Sequence, residues 1–258
     1  MPLSDVNGTR LYYRFDGPVD RAVLMLSNSL GTNCGMWQPQ ISEFTKRYRV
    51  LRYDSRGHGR SAAPPGPYTI ETLGRDALAL LDALDLERVR FCGLSKGGMT
   101  GMWLGANAPR RLDRLVLCNT SARVGAPEAW TQRIDTVRKS GMAAIAPGVV
   151  DRWFTREFQQ RTPDAVEQLR RMLLATAPEG YVASCAAIRD MNQSDTIAAI
   201  DLPVLVVVGG KDAATPPDHG AYIAKRVRRG RLVTLDAAHI SNVEAADAFT
   251  SAVLRFLE

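Results

Sequence analysis

Short, mostly apolar runs alternate along this chain with longer stretches in which apolar residues return every three or four positions. The runs at 22–26, 49–53, 89–94, 112–118, 204–208 and 232–235 are too short for typical helices and read as buried strands. Ahead of them, residues 9–15 alternate apolar and polar with the period of two that a half-buried strand shows, and Asn7-Gly8 is a dipeptide that closes tight hairpins. The chain therefore opens with two antiparallel strands. Between most of the later runs the period lengthens. Ile70, Leu73, Ala77, Leu80, Leu81 and Leu84 fall on one face of a helix over 70–84, and 244–257 has a similar pattern.

Strands alternating with helices predict an α/β fold, a mostly parallel eight-stranded sheet with helices on both faces. The alternation stops between 118 and 204. A structureless loop of roughly eighty residues is foreign to a compact domain, and 123–192 is helical in character. The expected organisation is a core made of 1–122 and 193–258 with a helical cap, 123–192, inserted over it. The stretch 194–202 returns the chain to the sheet.

Composition narrows the partners. A hydrophobic content of 45% suits a core wrapped on both sides of a sheet. The formal charge of +6 comes from 33 basic residues scattered among 27 acidic ones, with no long basic block, which argues for a solvated surface and against nucleic acid. No apolar run is long enough to span a bilayer and polar residues follow Met1, so a cytoplasmic protein with no membrane partner is expected. Cys34, Cys92, Cys118 and Cys185 form no C-x-x-C pair and have no histidine at metal-ligand spacing, so buried, reduced thiols and no metal site are expected. Cys34 stands apart, because its Gly-containing loop is expected to face the site derived next.

Gly93-Leu94-Ser95-Lys96-Gly97-Gly98 directly follows the run at 89–94 and precedes the helix-compatible stretch 99–107. A G-x-S-x-G match in that strand-turn-helix setting holds its serine on a turn so sharp that the flanking residues must be small. Ser95 is accordingly the candidate nucleophile. A serine hydroxyl needs a positioned base, and the chain has three histidines. His58 lies in a turn-rich loop before Ser95, and His219 follows Pro216-Pro217-Asp218 at the start of a surface helix. His239 lies just beyond the run at 232–235, at the carboxyl edge of the sheet where sites on such folds form. The orienting carboxylate should leave the same edge, and 204–208 leads into Gly209-Gly210-Lys211-Asp212. The order Ser95, Asp212, His239 is the one this type of serine hydrolase uses. For the oxyanion hole, the backbone N–H of Lys96 supplies one donor, and the loop Ser27-Asn28-Ser29-Leu30-Gly31-Thr32 offers Leu30 as the second.

These residues resemble the α/β-hydrolase superfamily along essentially the whole chain, and Asp54 to Ser61 looks like the D-x-R-G-x-G-x-S signature of its epoxide-hydrolase and lactonase branch. That resemblance makes Arg56 and His58 framework residues. A narrower resemblance is to the 3-oxoadipate enol-lactonases. It is carried by Asn28-Ser29-Leu30-Gly31-Thr32 with Met36-Trp37, by Gly93-Leu94-Ser95, by Asp212 with Thr215-Pro216-Pro217, and by Ala237-Ala238-His239-Ile240-Ser241-Asn242. The resemblance implies hydrolysis of a small enol-lactone bearing a free carboxylate, through an acyl-enzyme and with no metal or organic cofactor. Lys96 departs from the uncharged residue common after the nucleophile, and its side chain is a candidate contact for an anionic substrate.

The triad is common to many hydrolases, so the cap must select the substrate. Between Trp130 and Arg161 six basic residues face three acidic ones. Arg133, one helical turn from Trp130, is the candidate clamp for a substrate carboxylate, with Trp130 and Trp153 as apolar walls. The competing readings are another carboxylesterase, a C–C hydrolase, or a hydrolase-like receptor that turns its ligand over slowly.

Overall fold

Asn7 and Gly8 take positive φ values of 45° and 70°, the backbone a tight hairpin demands, and Val6 pairs with Thr9 across them. The structure, a computed structural model, describes residues 2–258. Its strands are β1 (Leu3–Val6), β2 (Thr9–Asp16), β3 (Val23–Ser27), β4 (Arg49–Tyr53), β5 (Val89–Leu94), β6 (Leu112–Cys118), β7 (Val204–Gly209) and β8 (Gly230–Leu235). They form one sheet in the order β1-β2-β4-β3-β5-β6-β7-β8. The β1–β2 and β2–β4 pairs are antiparallel, and every pair from β4 to β8 is parallel. The central strands are buried on both faces at nearly every position, which is why they read as mostly apolar runs.

The helices are α1 (Gln38–Phe44), α2 (Ile70–Ala83), α3 (Lys96–Asn107), α4 (Pro127–Trp153), α5 (Arg156–Arg161), α6 (Pro163–Leu174), α7 (Pro178–Arg189), α8 (Pro217–Arg226), α9 (Ser241–Glu244) and α10 (Ala246–Leu257). α1 packs on α10 and α2 on α3, while α8 and α10 both meet β7 and β8. Thr69 caps α2, its side chain accepting the Thr72 N–H, and the face expected from the sequence (Ile70, Leu73, Ala77, Leu80, Leu81) is buried. α4 to α7 lie between β6 and β7. An isolated bridge pairs Arg123 with Asn192 where this helical segment leaves and rejoins the sheet. α4 bends at Gly141, whose φ of 73° is outside helical space.

One expected element differs. The stretch 244–257 is not a single helix, because the chain breaks at Ala245 (φ −120°, ψ 50°) between α9 and α10. The break follows from Glu244, whose carboxylate turns inward to accept the Ala238 N–H at 2.8 Å and the Thr155 N–H at 3.2 Å. It joins the loop before His239 to the junction of α4 and α5.

Candidate active site

Five loops leave the carboxyl edge of the sheet from neighbouring strands. Ser95 and Asn119 come one residue after β5 and β6, Leu30 and Asp212 three after β3 and β7, and His239 four after β8. Sequence order scatters these residues, while strand order β3-β5-β6-β7-β8 sets them side by side.

Ser95 sits at φ 56°, ψ −114°, a left-handed backbone that is costly for any residue with a Cβ. Three hydrogen bonds hold it there. Its N–H donates to Cys118 O at 2.8 Å, and its carbonyl accepts from Thr120 Oγ1 at 2.8 Å and from the Met99 N–H at 3.0 Å. The turn closes only because its neighbours lack side chains. A Cβ on Gly93 would lie 2.2 Å from Gly97 O, and one on Gly97 would lie 2.2 Å from Ser27 O.

His239 and Asp212 are both almost fully buried, and Nδ1 of His239 donates to Asp212 Oδ2 at 2.9 Å. The same oxygen accepts from Thr215 Oγ1 at 2.8 Å and from Asn119 Nδ2 at 3.0 Å, while Oδ1 accepts the Ala214 and Thr215 N–H groups at 2.8 and 2.9 Å. Burial alone would raise the Asp212 pKa. The His239 charge and these hydrogen bonds outweigh it and hold the carboxyl down at about 2. Asp212 is therefore ionised at neutral pH, which fixes the histidine tautomer with Nδ1 protonated and leaves Nε2 as the basic nitrogen. Asn119 and Thr215 are parts of this site that pattern reading missed as functional residues. For Asn119 a signal existed in its place immediately after a strand at the same edge.

The turn after β3 is hydrogen-bonded within itself. Asn28 accepts from Trp37 Nε1 at 2.9 Å and donates to Tyr53 O at 2.8 Å, and Met36 Sδ accepts from Thr32 Oγ1 and the Ser29 N–H. The Gly31 N–H donates to His58 Nε2 and the Thr32 N–H to Ser29 O. Among the described residues the Leu30 N–H, like that of Asn28, has no hydrogen-bond acceptor in this turn, and the Lys96 N–H, first in α3, has no acceptor within its helix. Leu30 lines the same cavity as Ser95, and Lys96 follows Ser95 directly, so these two N–H groups are the donors available for an oxyanion hole.

Above these groups lies a cavity of about 240 Å³, below the ~300–1,000 Å³ usual for drug-sized ligands. Ser95, His239, Leu30 and Thr215 line one part of it; Trp130, Arg133, Trp153 and Tyr181, from α4 and α7, line another. The guanidinium of Arg133 stacks 4.6 Å from the Trp130 ring centroid. Arg152, which sequence reading counted without singling out, shares the cavity. Burial, then the neighbouring charge of Arg133, push its pKa down.

Two expectations are corrected. The Lys96 side chain does not line the cavity; it is buried, with Nζ donating to Ser55 Oγ at 2.6 Å, because the first turn of α3 directs it toward the Asp54–Ser61 loop. Cys34 is also absent from the cavity wall, buried in the short turn Cys34–Trp37, where burial raises its thiol pKa to about 12. The Asp54–Ser61 loop is framework. Arg56 holds Asp76 in a buried bidentate pair, and Asp54 accepts the Cys34 and Arg60 N–H groups.

A family model described as the alpha/beta hydrolase fold matches residues 22–246. The chain is 42% identical to 3-oxoadipate enol-lactonase 2 of Acinetobacter baylyi, over 94% of this chain and 91% of that protein. It superposes on the crystal structure of the enol-lactonase from Burkholderia xenovorans with a TM-score of 0.98 at 46% identity, covering 99% of each chain. A thermophilic esterase from Thermogutta terrifontis, solved with malate bound, superposes with a TM-score of 0.93 at 28% identity, covering 100% of this chain and 98% of that one.

Proposed function

This chain belongs to the α/β-hydrolase family, and from that premise we propose that it hydrolyses a small enol-lactone carrying a free carboxylate, as 3-oxoadipate enol-lactone does, to the open-chain 3-oxo acid. The observation that carries the reading is the cavity, where Arg133 and Arg152 share one small space with Ser95 and His239. Two guanidinium groups beside a nucleophile suit a compact anionic acyl compound and disfavour a long apolar one.

In this mechanism Ser95 Oγ attacks the lactone carbonyl while His239 Nε2 takes its proton. The carbonyl oxygen becomes negative and is met by the N–H groups of Leu30 and Lys96. Collapse of the tetrahedral intermediate breaks the ring C–O bond. The leaving group is an enolate, which takes the proton held by His239, at oxygen to give the enol or at carbon to give the ketone, leaving His239 neutral and the acyl chain on Ser95. A water molecule deprotonated by His239 then attacks the ester carbonyl, the second tetrahedral intermediate collapses as His239 returns that proton to Ser95 Oγ, and the dicarboxylate departs. Asp212 stays ionised throughout, orienting the imidazole and stabilising its cationic form. The helices between β6 and β7 serve as a cap whose arginines set the position of the substrate carboxylate.

Steady-state kinetics on 3-oxoadipate enol-lactone beside a short p-nitrophenyl ester test the reading. A kcat/KM at least about a hundredfold higher for the lactone is expected, the discrimination that ~3 kcal/mol of charge-assisted contact supplies. Equal values would favour a general carboxylesterase, and slow turnover of both a ligand receptor.

A further inference from the structure

Beneath the turn that carries Leu30 lies a buried cluster of ionisable groups that the mechanism above does not use. Lys96 is 1% exposed, and its Nζ lies 3.2 Å from Nδ1 and 3.4 Å from Nε2 of His58, besides donating to Ser55 Oγ. Neither ring nitrogen is free to receive it. Nδ1 faces Arg56 O at 3.1 Å, to which it donates, and Nε2 accepts the Gly31 N–H at 3.0 Å. The two near-equal distances place the amine against the ring rather than in line with either nitrogen.

The contact between Gly31 and His58 exists only while the imidazole is neutral, because an imidazolium would present a second donor to the Gly31 N–H. Burial, then the charge of Lys96, hold the His58 pKa well below its ordinary value, and so keep Nε2 an acceptor. Gly31 directly follows Leu30, so its tethered peptide sets the orientation of the turn that presents the Leu30 N–H. The side chain of Lys96 does not reach the cavity, and an amine is a costly group to bury for packing alone.

We propose that Lys96 is a positioning residue for the oxyanion hole: its main chain supplies one donor, and its side chain, through His58, braces the Gly31 peptide that presents the other. This role rests on the assignment of Ser95, Leu30 and Lys96 given above. It couples the two donors, which come from different strands, through a single residue.

The test compares wild type with Lys96→Met, His58→Phe and the double variant on p-nitrophenyl acetate, a substrate without a carboxylate, with rates expressed per active serine titrated by a fluorophosphonate. Each single variant is expected to lower kcat and the phosphonylation rate about tenfold, a fraction of what loss of a whole oxyanion donor costs, with KM within about twofold of wild type. The double variant should lose no more than either single one. Lys96→Met should also melt no lower than wild type. Unchanged kcat per titrated serine, a rise in KM at constant kcat, or fully additive losses would overturn the role, and either single variant decides the matter if the other does not fold. Wild-type protein inert toward both the ester and the phosphonate would instead overturn the nucleophile assignment, and with it this role. That failure appears in the wild type, whereas failure of the positioning role appears in the variants alone.

Discussion

Asp212 Oδ2 lies 2.9 Å from His239 Nδ1 although the two residues are 27 positions apart and leave the sheet from different strands. The carboxylate that orients the imidazole is itself held by donors from β6 (Asn119) and from its own loop (Thr215), so the pair is rigid before any substrate arrives.

The pair sets a pH dependence. Asp212 is held at about 2 against an ordinary 3.8, so it contributes stability that is fully present above about pH 5 and lost as pH falls toward 2. In urea titrations, the stability advantage of wild type over Asp212→Asn should shrink by about 2 kcal/mol between pH 5 and pH 2, about half of it by pH 3. At neutral pH the same variant should lose roughly 10³–10⁴ in kcat through the wrong imidazole tautomer. A stability gap independent of pH, with kcat retained, would reject the pairing.

Ser95→Ala should abolish turnover, by at least about 10³-fold, without lowering Tm. Alanine keeps the Cβ and removes only the hydroxyl, and the backbone bonds from Cys118, Thr120 and Met99 survive. Thermal melts and stopped-time assays check both halves, and substantial residual activity would sink the nucleophile assignment.

Arg133→Ala and Arg152→Ala should each raise KM for the carboxylated lactone about tenfold or more, the worth of a charge-assisted hydrogen bond, and change KM for an uncharged ester less than about twofold. Comparable effects on both substrates would mean that the arginines shape the cavity rather than read the carboxylate.

Lys96 has a pKa lowered to about 7, chiefly by burial, from an ordinary 10.5. The unfolded chain therefore binds more protons between those values. The amine costs stability below pH 7, and the cost fades as pH rises toward 10. Lys96→Met should raise stability at pH 6 by about 1 kcal/mol or more, about 3 °C in Tm, with the gain closing by pH 10. A gain that stays constant with pH would place the ionisation elsewhere.

How much of this was legible in the chain depended on how local its cause was. β4, β5 and β6 coincide with mostly apolar runs because strands buried on both faces favour apolar side chains at most positions, and the turn at Ser95 announces itself because close approach of backbones at Gly93 and Gly97 excludes every larger residue. Place in the chain then singled out Asp212 and His239, each in a loop that follows a strand, since of the three histidines only His239 both follows Ser95 and lies just beyond a strand. Contacts made across the fold left no such mark. Whether a lysine beside a nucleophile faces the substrate or the framework depends on where the first turn of α3 points relative to a loop some forty residues earlier, and the His58 ring that meets it sits in a motif with its own local logic. Glu244 fits an amphipathic pattern, yet its carboxylate is drawn inward by unpaired N–H groups of Ala238 and Thr155 that become neighbours only when the fold closes. Periodicity reports how each segment meets the core, whereas the partner of a buried polar group is fixed by whichever unpaired donor or acceptor the tertiary fold brings beside it.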